Sequence, residues 1–306
     1  MSTRLVTRLL LLVQLAAALG IAWSLAHWDG VAPWQAALAG AGSVMLVRLA
    51  INLNNFVLSA CFASSTPPEF RLGLAGRLRL LAEEFVSSML TTSWLMPRGR
   101  AQMRIHPASR RVPVLLLHGY GCNSGYWARL LALLDAARIS HASVDLEPVG
   151  ASIDDYAAAV ERGVEALRAA TGARQVAIVA HSMGGLVARA WMRAHGSASV
   201  ARLVTLGTPH QGTALARFGP GANARQMRRD GQWLQALADS EDAATRALVT
   251  SIYTHHDNIV SPQTSSVLPG ARHIAFGGVG HVALGHNPRV LDAVMGELTA
   301  LDGVRT

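Results

Sequence analysis

The sequence predicts an α/β fold with a mostly parallel, doubly wound sheet, preceded by a hydrophobic helical membrane segment. From about residue 106 onward, short apolar runs of strand length alternate with stretches of helical period. Before residue 62, two apolar runs of membrane-spanning length follow each other, over residues 9–26 and 31–51. We therefore divide the chain into a membrane anchor (1–62), an amphipathic connector (63–105) and an α/β domain (106–306).

The anchor has the pattern of a two-helix hairpin. Each run is about long enough to cross roughly 30 Å of hydrocarbon at about 1.5 Å per residue. Trp23, Trp28 and Trp34 lie near the short loop between the runs, where aromatic side chains favour the membrane interface. Membrane lipids are therefore the expected partners of residues 1–62.

Two topologies of the anchor remain open. Basic residues precede the first run and end or follow the second, namely Arg4, Arg8, Arg48, Arg71, Arg77 and Arg79. Because basic flanks tend to stay in the cytoplasm, a cytoplasmic location of the downstream domain is favoured. The first run also resembles a signal peptide, with Ser24 and Ala26 where a signal peptidase prefers small residues, and its cleavage would export the domain.

Composition narrows the classes of partner. The 306-residue chain carries a formal charge of +8, and all 27 of its basic residues are arginine. A lysine-free chain of this kind reflects genomic base composition, and no basic run is interleaved with aromatic residues, so nucleic acid is not expected. Cys61 and Cys122 lie in distant segments and have no neighbours at metal-ligand spacing, so neither a disulfide nor a metal site is predicted.

Six apolar runs in the α/β domain predict buried parallel strands, because their character is β-branched or continuously apolar. They span residues 112–117, 140–146, 176–180, 201–206, 247–253 and 272–276.

Capping residues mark the helices between and after these strands. Ser152 and Asp155 are placed as a capping pair at the start of residues 152–170, and Gly196 closes a helix over residues 182–196. The last helix begins with Asn287 as its cap and has proline at its first position.

Ser182 lies between the strand "VAIVA" and the helix that follows it. Reactive groups gather at this edge of a parallel sheet. The residues A-H-S-M-G, in which His181 precedes the serine, predict a nucleophile elbow with Ala180 where glycine is usual. Such a turn requires small residues two positions before and after the serine, which Ala180 and Gly184 satisfy.

A serine hydroxyl becomes a nucleophile when a histidine accepts its proton and an acid orients that histidine. Asp257 follows the strand over residues 247–253, and His281 lies in a glycine-rich turn after the strand over 272–276. The chain order serine, acid, histidine is the order of hydrolases with this elbow. We therefore predict that Ser182, Asp257 and His281 form a catalytic triad.

Other candidates near the predicted site are weaker. Asp145 and Glu147 also end a strand, but they precede the serine in sequence. His286 adjoins the last helix and is predicted to be a surface or capping residue, and Cys122 is predicted to be a small packed residue. The remaining nearby histidines have no metal-ligand spacing, which argues against a metal at His210, His255 and His256.

Acyl transfer also requires hydrogen-bond donors for the developing oxyanion. The first strand of the α/β domain runs into a His-Gly turn, formed by His118, Gly119 and Gly121 around Tyr120. We assign the backbone N–H of Tyr120 as one donor and that of Met183 as the other. The two glycines let the backbone approach closely.

Five segments together resemble the bacterial lipase and esterase branch of the α/β-hydrolase superfamily, including small lipases with an A-H-S-M-G-G elbow. They are "LLLHGYG" (115–121), "AHSMGGLVAR" (180–189), "LGTPHQGT" (206–213), "THHDNIVSP" (254–262) and "GVGHVALG" (278–285). The resemblance implies an α/β-hydrolase fold and a serine hydrolase of carboxylic esters, with lipids as substrates, that works through an acyl-enzyme without a cofactor. It implies the same triad and oxyanion donors. Together with the anchor, it predicts a protein of the bacterial inner membrane.

The segment over residues 207–247 has two open interpretations. Met227, Trp233, Leu234 and Leu237 recur at roughly helical spacing, which fits either an ordinary packed helix or a cap whose apolar face lines an acyl pocket.

Two further functions remain as alternatives to ester hydrolysis. The same triad would serve an acyltransferase or a hydrolase of amides or thioesters. A membrane scaffold or transport component that retains the fold is the non-catalytic alternative.

Overall fold

The computed structural model describes residues 1–301, and a seven-stranded sheet forms the centre of the C-terminal domain. Its strands are β1 (Met103–Arg104), β2 (Val114–Leu117), β3 (His141–Val144), β4 (Val176–His181), β5 (Val200–Leu206), β6 (Val249–Thr254) and β7 (Arg272–Phe276). The spatial order is β1-β3-β2-β4-β5-β6-β7. β1 pairs antiparallel with β3, and the other pairs are parallel. The predicted fold class and the positions of the six predicted strands are confirmed, but β7 is not buried as predicted, since only Phe276 of its residues is buried.

The helices are α1 (Thr3–Trp28), α2 (Pro33–Ala60), α3 (Leu74–Leu90), α4 (Met96–Arg98), α5 (Ala128–Ala136), α6 (Ala157–Thr171), α7 (Met183–His195), α8 (Ala222–Gln226), α9 (Gln232–Asp239), α10 (Ala243–Ala247) and α11 (Pro288–Thr299). The predicted cap Asn287 accepts a hydrogen bond from the Arg289 N–H at 3.0 Å. Asp155 accepts from the Ser152 N–H at 3.1 Å, but a 3₁₀ turn over 154–156 delays the start of α6.

The two faces of the sheet pack against different helices. On β2, Leu115 and Leu117 face α6 and α7, whereas Val114 and Leu116 face α5 and α11. This alternation follows from the two-residue period of a strand. Each buried Leu or Val contributes about 1.5 to 3 kcal/mol to folding. Because β2 and β4 lie in the middle of the strand order, the loops that follow them lie at the centre of the carboxyl edge.

In the hairpin of α1 and α2, unlike in the sheet, many large apolar side chains are exposed. Leu19 is 61% exposed and Leu46 is 67% exposed, and both helices are long and apolar enough to cross a membrane. The two helices approach closely at Gly40, where a Cβ would overlap the backbone of Ala18. Small residues at such a contact are typical of helices that pack within a membrane.

Hydrogen bonds join the hairpin to the rest of the protein. Near the start of α1, the Thr3 N–H donates to Glu147 at 3.0 Å. Within α2, Arg48 donates to Ser93 at 2.8 Å, in the turn that follows α3. At the end of α2, the Ser59 hydroxyl donates to the backbone oxygen of Asp257 at 2.8 Å. The two ends of the hairpin therefore contact the carboxyl edge of the sheet.

Candidate active site

Ser182 occupies a sharp turn between β4 and α7. Its backbone has φ 54° and ψ −125°, a conformation that residues other than glycine rarely adopt. The Ser182 N–H donates to the Leu206 oxygen at 2.8 Å, and the Thr208 hydroxyl donates to the Ser182 oxygen at 2.8 Å. Strained backbone that is fixed in this way is common at functional sites.

The turn has no room for larger neighbours. A Cβ on Gly184 would lie 2.5 Å from the Leu117 oxygen, and a Cβ on Gly119 would lie 2.9 Å from the Cβ of Ser182. The elbow therefore packs directly against the loop after β2. The small residue that the sequence argument required after Ser182 has this steric cause.

Asp257 and His281 form a buried pair in the loops after β6 and β7. The Nδ1 atom of His281 lies 2.8 Å from Oδ2 of Asp257, and their side chains are 6% and 2% exposed. The other oxygen of Asp257 accepts from the N–H groups of Ile259 and Val260 at 2.8 and 2.7 Å. The carboxylate is thus held in place by its own loop and directed at the imidazole.

The surroundings of His281 favour its protonated form. Burial lowers the pKa of His281, but the charge and hydrogen bond of Asp257, together with the charge of Glu84, raise it above the usual histidine value. An imidazole that is stabilised when it gains a proton is suited to act as a general base.

The structure brings the serine and the pair to one place. The ring of His181, which precedes the serine, lies 4.6 Å from the His281 ring, and its Nε2 donates to the His281 backbone oxygen at 3.2 Å. A Cβ on Gly207 would lie 3.1 Å from Oδ2 of Asp257, so the end of β5 separates the elbow from the acid. Among residues 1–301 no hydrogen bond joins the Ser182 hydroxyl to the His281 ring, and such contacts often form only with substrate bound.

The backbone N–H groups of Tyr120 and Met183 lie at the elbow and have no hydrogen-bond acceptor within the described residues. His118 fixes the direction of the first. Its Nδ1 donates to the Gly119 oxygen at 2.9 Å, while its Nε2 accepts from the Leu146 N–H at 2.9 Å. Because the oxygen and N–H of one trans peptide point in opposite directions, this bond turns the Tyr120 N–H away from His118.

A pocket of about 270 Å³ opens at Ser182. Its lining is mainly apolar and comes from α2, the loop after β2 and two segments beyond β5, namely Asn55, Leu58, Tyr120, Ser182, Pro209, Thr213, Leu215, Ala216, Phe218, Gly219, Ala224, Met227, Ile259 and Val260. An apolar cleft with few polar groups is typical of a small-molecule site. One of the two long apolar helices thus forms part of the pocket wall.

The structure separates the four residues of the predicted cap. Met227 lines the pocket, but Leu234 and Leu237 are buried in the core, and Trp233 packs against that core and donates to Asp154 at 2.8 Å. A cap lining is therefore wrong for these three residues, whose helical spacing is explained by packing beside α7.

The competing acids and the thiol have structural contacts. Asp145 accepts from the N–H and hydroxyl of Ser124 at 2.7 and 2.6 Å, and Glu147 accepts from the start of α1. Burial raises the pKa of Cys122 to about 12, which leaves the thiol uncharged and unreactive near neutral pH.

The remaining histidines differ in their roles. His286 is 4% exposed and lies 2.8 Å from the Thr91 hydroxyl, so the prediction of a surface residue is wrong, because the turn after α3 covers it. His210 is buried against Arg189, which forms an ion pair with Glu241 and so ties α7 to the link between α9 and α10. His255 contacts Phe70 with ring centroids 4.7 Å apart and the ring planes tilted by 31°.

One group of three side chains among residues 1–301 has the proximity of metal ligands. The ligand atoms of His106, Asp135 and His141 lie within 4.8 Å of one another. The group lies at the amino edge of the sheet, where β3 begins, opposite the edge that carries Ser182. His210, His255 and His256 belong to no such group in this part of the chain.

Two contacts to the site come from segments to which the sequence argument assigned no chemistry. Ser59 of α2 holds the backbone of Asp257, and Glu84 of α3 accepts from the N–H groups of Val282 and Ala283 at 3.0 and 2.9 Å. A signal for Glu84 exists in the sequence. Residues 80, 84, 87 and 91 recur at helical spacing, and all four are buried.

Comparisons with known proteins agree with this geometry. Residues 112–238 match the family model described as alpha/beta hydrolase fold. Triacylglycerol lipases of Pseudarthrobacter phenanthrenivorans and Burkholderia plantarii are each 32% identical over 124 residues, which is 36% of this chain. The match covers 37% and 33% of their lengths, so the chain matches about a third of these relatives.

Solved structures show the same fold at low sequence identity. The mature form of a Bacillus licheniformis lipase has a TM-score of 0.57 and 18% identity, over 65% of this chain and 97% of that chain. Aspergillus fumigatus lipase B has a TM-score of 0.55 and 16% identity, over 64% and 55% of the two chains. The chain therefore has an α/β-hydrolase fold, and the two curated relatives that it matches over part of its length are named triacylglycerol lipases.

Proposed function

We propose that this protein is a membrane-associated serine hydrolase that cleaves the carboxylic esters of lipids. One observation carries the proposal. The strained Ser182 turn lies at the same edge of the sheet as the buried Asp257–His281 pair, beside two backbone N–H groups that are free to bind an oxyanion. This combination supplies each group that acyl transfer to serine requires.

In the first half-reaction, the Ser182 oxygen attacks the ester carbonyl carbon while Nε2 of His281 accepts the hydroxyl proton. Asp257 holds the opposite ring nitrogen and stabilises the imidazolium. The oxyanion accepts hydrogen bonds from the N–H groups of Tyr120 and Met183. When the C–O bond to the leaving group breaks, His281 gives its proton to that oxygen, and an alcohol departs from the acyl-enzyme.

The second half-reaction repeats these steps with water as the nucleophile. His281 accepts a proton from water as the water oxygen attacks the acyl carbon. The bond from that carbon to Ser182 then breaks, and His281 returns the proton to the serine oxygen. The products are a carboxylic acid and the free enzyme, with no cofactor in the cycle.

The position of the hairpin supports a lipid as substrate. Asn55 and Leu58 of α2 line the pocket at Ser182, and both ends of the hairpin contact the carboxyl edge. If α1 and α2 cross the bilayer, the pocket lies at the membrane surface, where an acyl chain reaches it without crossing water. The basic residues that flank the hairpin favour the cytoplasmic surface.

Hydrolysis of p-nitrophenyl esters from acetyl to palmitoyl tests the proposal, with the full chain and its Ser182→Ala variant in the same detergent. We expect rates that depend on Ser182 and rise with chain length. Circular dichroism checks that the variant folds. Serine-dependent rates for short esters alone would contradict a lipid substrate, and a fully active Ser182→Ala protein would contradict the mechanism.

Added alcohols distinguish hydrolysis from acyl transfer, because both pass through the same acyl-enzyme. If the acyl group goes mainly to the alcohol, the protein is an acyltransferase. If no ester, amide or thioester gives a rate above that of the variant, the non-catalytic alternative is correct.

A further inference from the structure

A carboxylate from α3, which precedes the α/β domain, lies beside the turn that carries His281. Glu84 belongs to α3 and is 1% exposed. One of its oxygens accepts from the Val282 N–H at 3.0 Å, and the other accepts from the Ala283 N–H at 2.9 Å. Gly280 is so close that an added Cβ would overlap the carboxylate. The contact is therefore direct and fills the space on this side of the turn.

The contact completes a set of bonds around the backbone of His281. The His281 N–H donates to Asn258 at 3.0 Å, and the His281 oxygen accepts from His181 at 3.2 Å. The next two N–H groups begin the 3₁₀ turn Val282–Gly285, where no side chain of the turn itself caps them. Without Glu84 these two donors, one buried and one partly buried, would lack acceptors, which would destabilise the turn.

The charge of Glu84 also reaches His281. Burial raises the pKa of Glu84, although the two backbone hydrogen bonds lower it. Both oxygens accept from N–H groups, which is the pattern of an ionised carboxylate. Its negative charge favours the protonated imidazole, in the same sense as the charge of Asp257.

We propose that Glu84 is a positioning residue for His281, which fixes the turn that carries the imidazole and stabilises the imidazolium formed when Ser182 loses its proton. The proposal rests on the function proposed above. It also assigns α3 a role in the chemistry, since the segment between the hairpin and the sheet would then set the properties of the general base.

Few other groups near Glu84 change charge near neutral pH. The titratable groups that face it are His281, Asp257 and Tyr126. Burial keeps the pKa of Tyr126 well above its usual value, so the phenol stays neutral. Burial and the charge of His281 keep the pKa of His181 well below its usual value, so that ring also stays neutral. A change in the acidic limb of activity therefore reports on His281.

The neighbouring Glu83 provides a matched control. It lies on the same helix and accepts from the side-chain amide of Asn287 at 2.6 Å, at the cap of α11. Glu83→Gln removes the same charge as Glu84→Gln but leaves the turn after His281 intact. Both are compared with the parent in the full chain, and thermal unfolding of each variant measures its stability.

The test is the pH profile of kcat/KM and of Ser182 labelling by a fluorophosphonate probe. In Glu84→Gln we expect kcat/KM above the acidic limb to fall roughly tenfold, since a single amide oxygen replaces two acceptors and the charge is lost. The acidic limb should move to lower pH, because His281 loses a stabilising charge and stays neutral in more acidic solution. Glu83→Gln should leave both quantities unchanged.

Each outcome discriminates between explanations. If Glu84→Gln lowers the unfolding temperature but leaves the limb in place, Glu84 is structural only and the proposal is wrong. An equal shift of the limb in Glu83→Gln would also overturn it. If the parent shows no Ser182-dependent rate or labelling, the proposed function itself fails, which is a separate result.

Discussion

The sheet carries an aspartate–histidine cluster at each of its two edges. At the carboxyl edge Asp257 contacts His281 at 2.8 Å, and at the amino edge Asp135 contacts His106 at 3.2 Å and His141 at 3.8 Å. Similar side chains thus meet at both edges of the same sheet, although they belong to different strands and loops. The two clusters differ in their burial, in their hydrogen-bond partners and in their position relative to Ser182.

The two carboxylates have different partners. The free oxygen of Asp257 accepts from backbone N–H groups in a closed loop, whereas that of Asp135 pairs with Arg104 at 2.5 Å. The side chain of Asp135 is 29% exposed, and that of Asp257 is 2% exposed. A guanidinium and solvent therefore share the charge of Asp135, whereas the buried charge of Asp257 is shared by one imidazole and two backbone N–H groups.

The topology of the sheet adds the second difference. In a parallel sheet, the turn into the next helix follows the carboxyl end of each strand, and Ser182 lies in such a turn. Within residues 1–301, no serine with a positive φ lies beside the amino-edge cluster. The location in the fold, more than the identity of the pair, makes the carboxyl-edge cluster the candidate site.

Replacing each aspartate by asparagine is the sharpest test of this difference. In Asp257→Asn the amide no longer holds the imidazole in the required tautomer, and we expect kcat/KM to fall about 10⁴-fold. In Asp135→Asn we expect a change of less than about twofold, because an exposed ion pair far from the elbow is lost. The measurement is ester hydrolysis by both variants beside the parent.

If kcat/KM fell by a similar factor in Asp257→Asn and Asp135→Asn, the position of the pair in the sheet would not decide its role in ester hydrolysis. If Asp257→Asn alone stays active, another acid orients His281, and Asp145 at the same edge is the first to examine.

Most of the fold was accessible from the sequence, because buried parallel strands are continuous apolar runs and helices carry their caps with them. β1 was missed since both of its residues, Met103 and Arg104, are exposed and pair through the backbone alone. Such a strand leaves no hydrophobic pattern.

The candidate site was predictable in part for a related reason. Ser182, Asp257 and His281 each follow a recognisable strand, so their order along the chain could be compared with a known mechanism. Glu84 lies about 200 residues from the turn it contacts, and its buried position follows from the helical spacing of its neighbours instead. Only the tertiary structure shows that the buried face of α3 contacts the turn after His281.

A substitution in the part of the pocket wall that α2 forms should have an effect of intermediate size on ester hydrolysis. Leu58→Trp replaces an aliphatic side chain of the pocket at Ser182 by a bulkier indole, so we expect the palmitoyl ester to lose about tenfold in kcat/KM relative to the acetyl ester. Leu46→Trp is the matched control, since Leu46 lies on the same helix, is 67% exposed and does not line the pocket. Equal effects of the two variants would mean that α2 does not contact the acyl chain.

The smallest effect that we expect is that of removing or adding metal ions at the amino-edge cluster. Nδ1 of His141 lies 2.9 Å from the Ile139 oxygen, and a hydrogen bond there would direct Nε2 toward Asp135, as in many metal sites. We nevertheless expect EDTA and added zinc to leave ester hydrolysis unchanged, because no step of the proposed mechanism involves this edge. His106→Ala should lower the unfolding temperature by only about 1 to 3 °C, in line with the loss of a partly buried contact near the surface. If zinc raised the unfolding temperature by several degrees and His106→Ala abolished that rise, the cluster would instead be a structural metal site. If EDTA lowered the rate of ester hydrolysis, the amino edge would affect the site at the carboxyl edge, contrary to the mechanism proposed here.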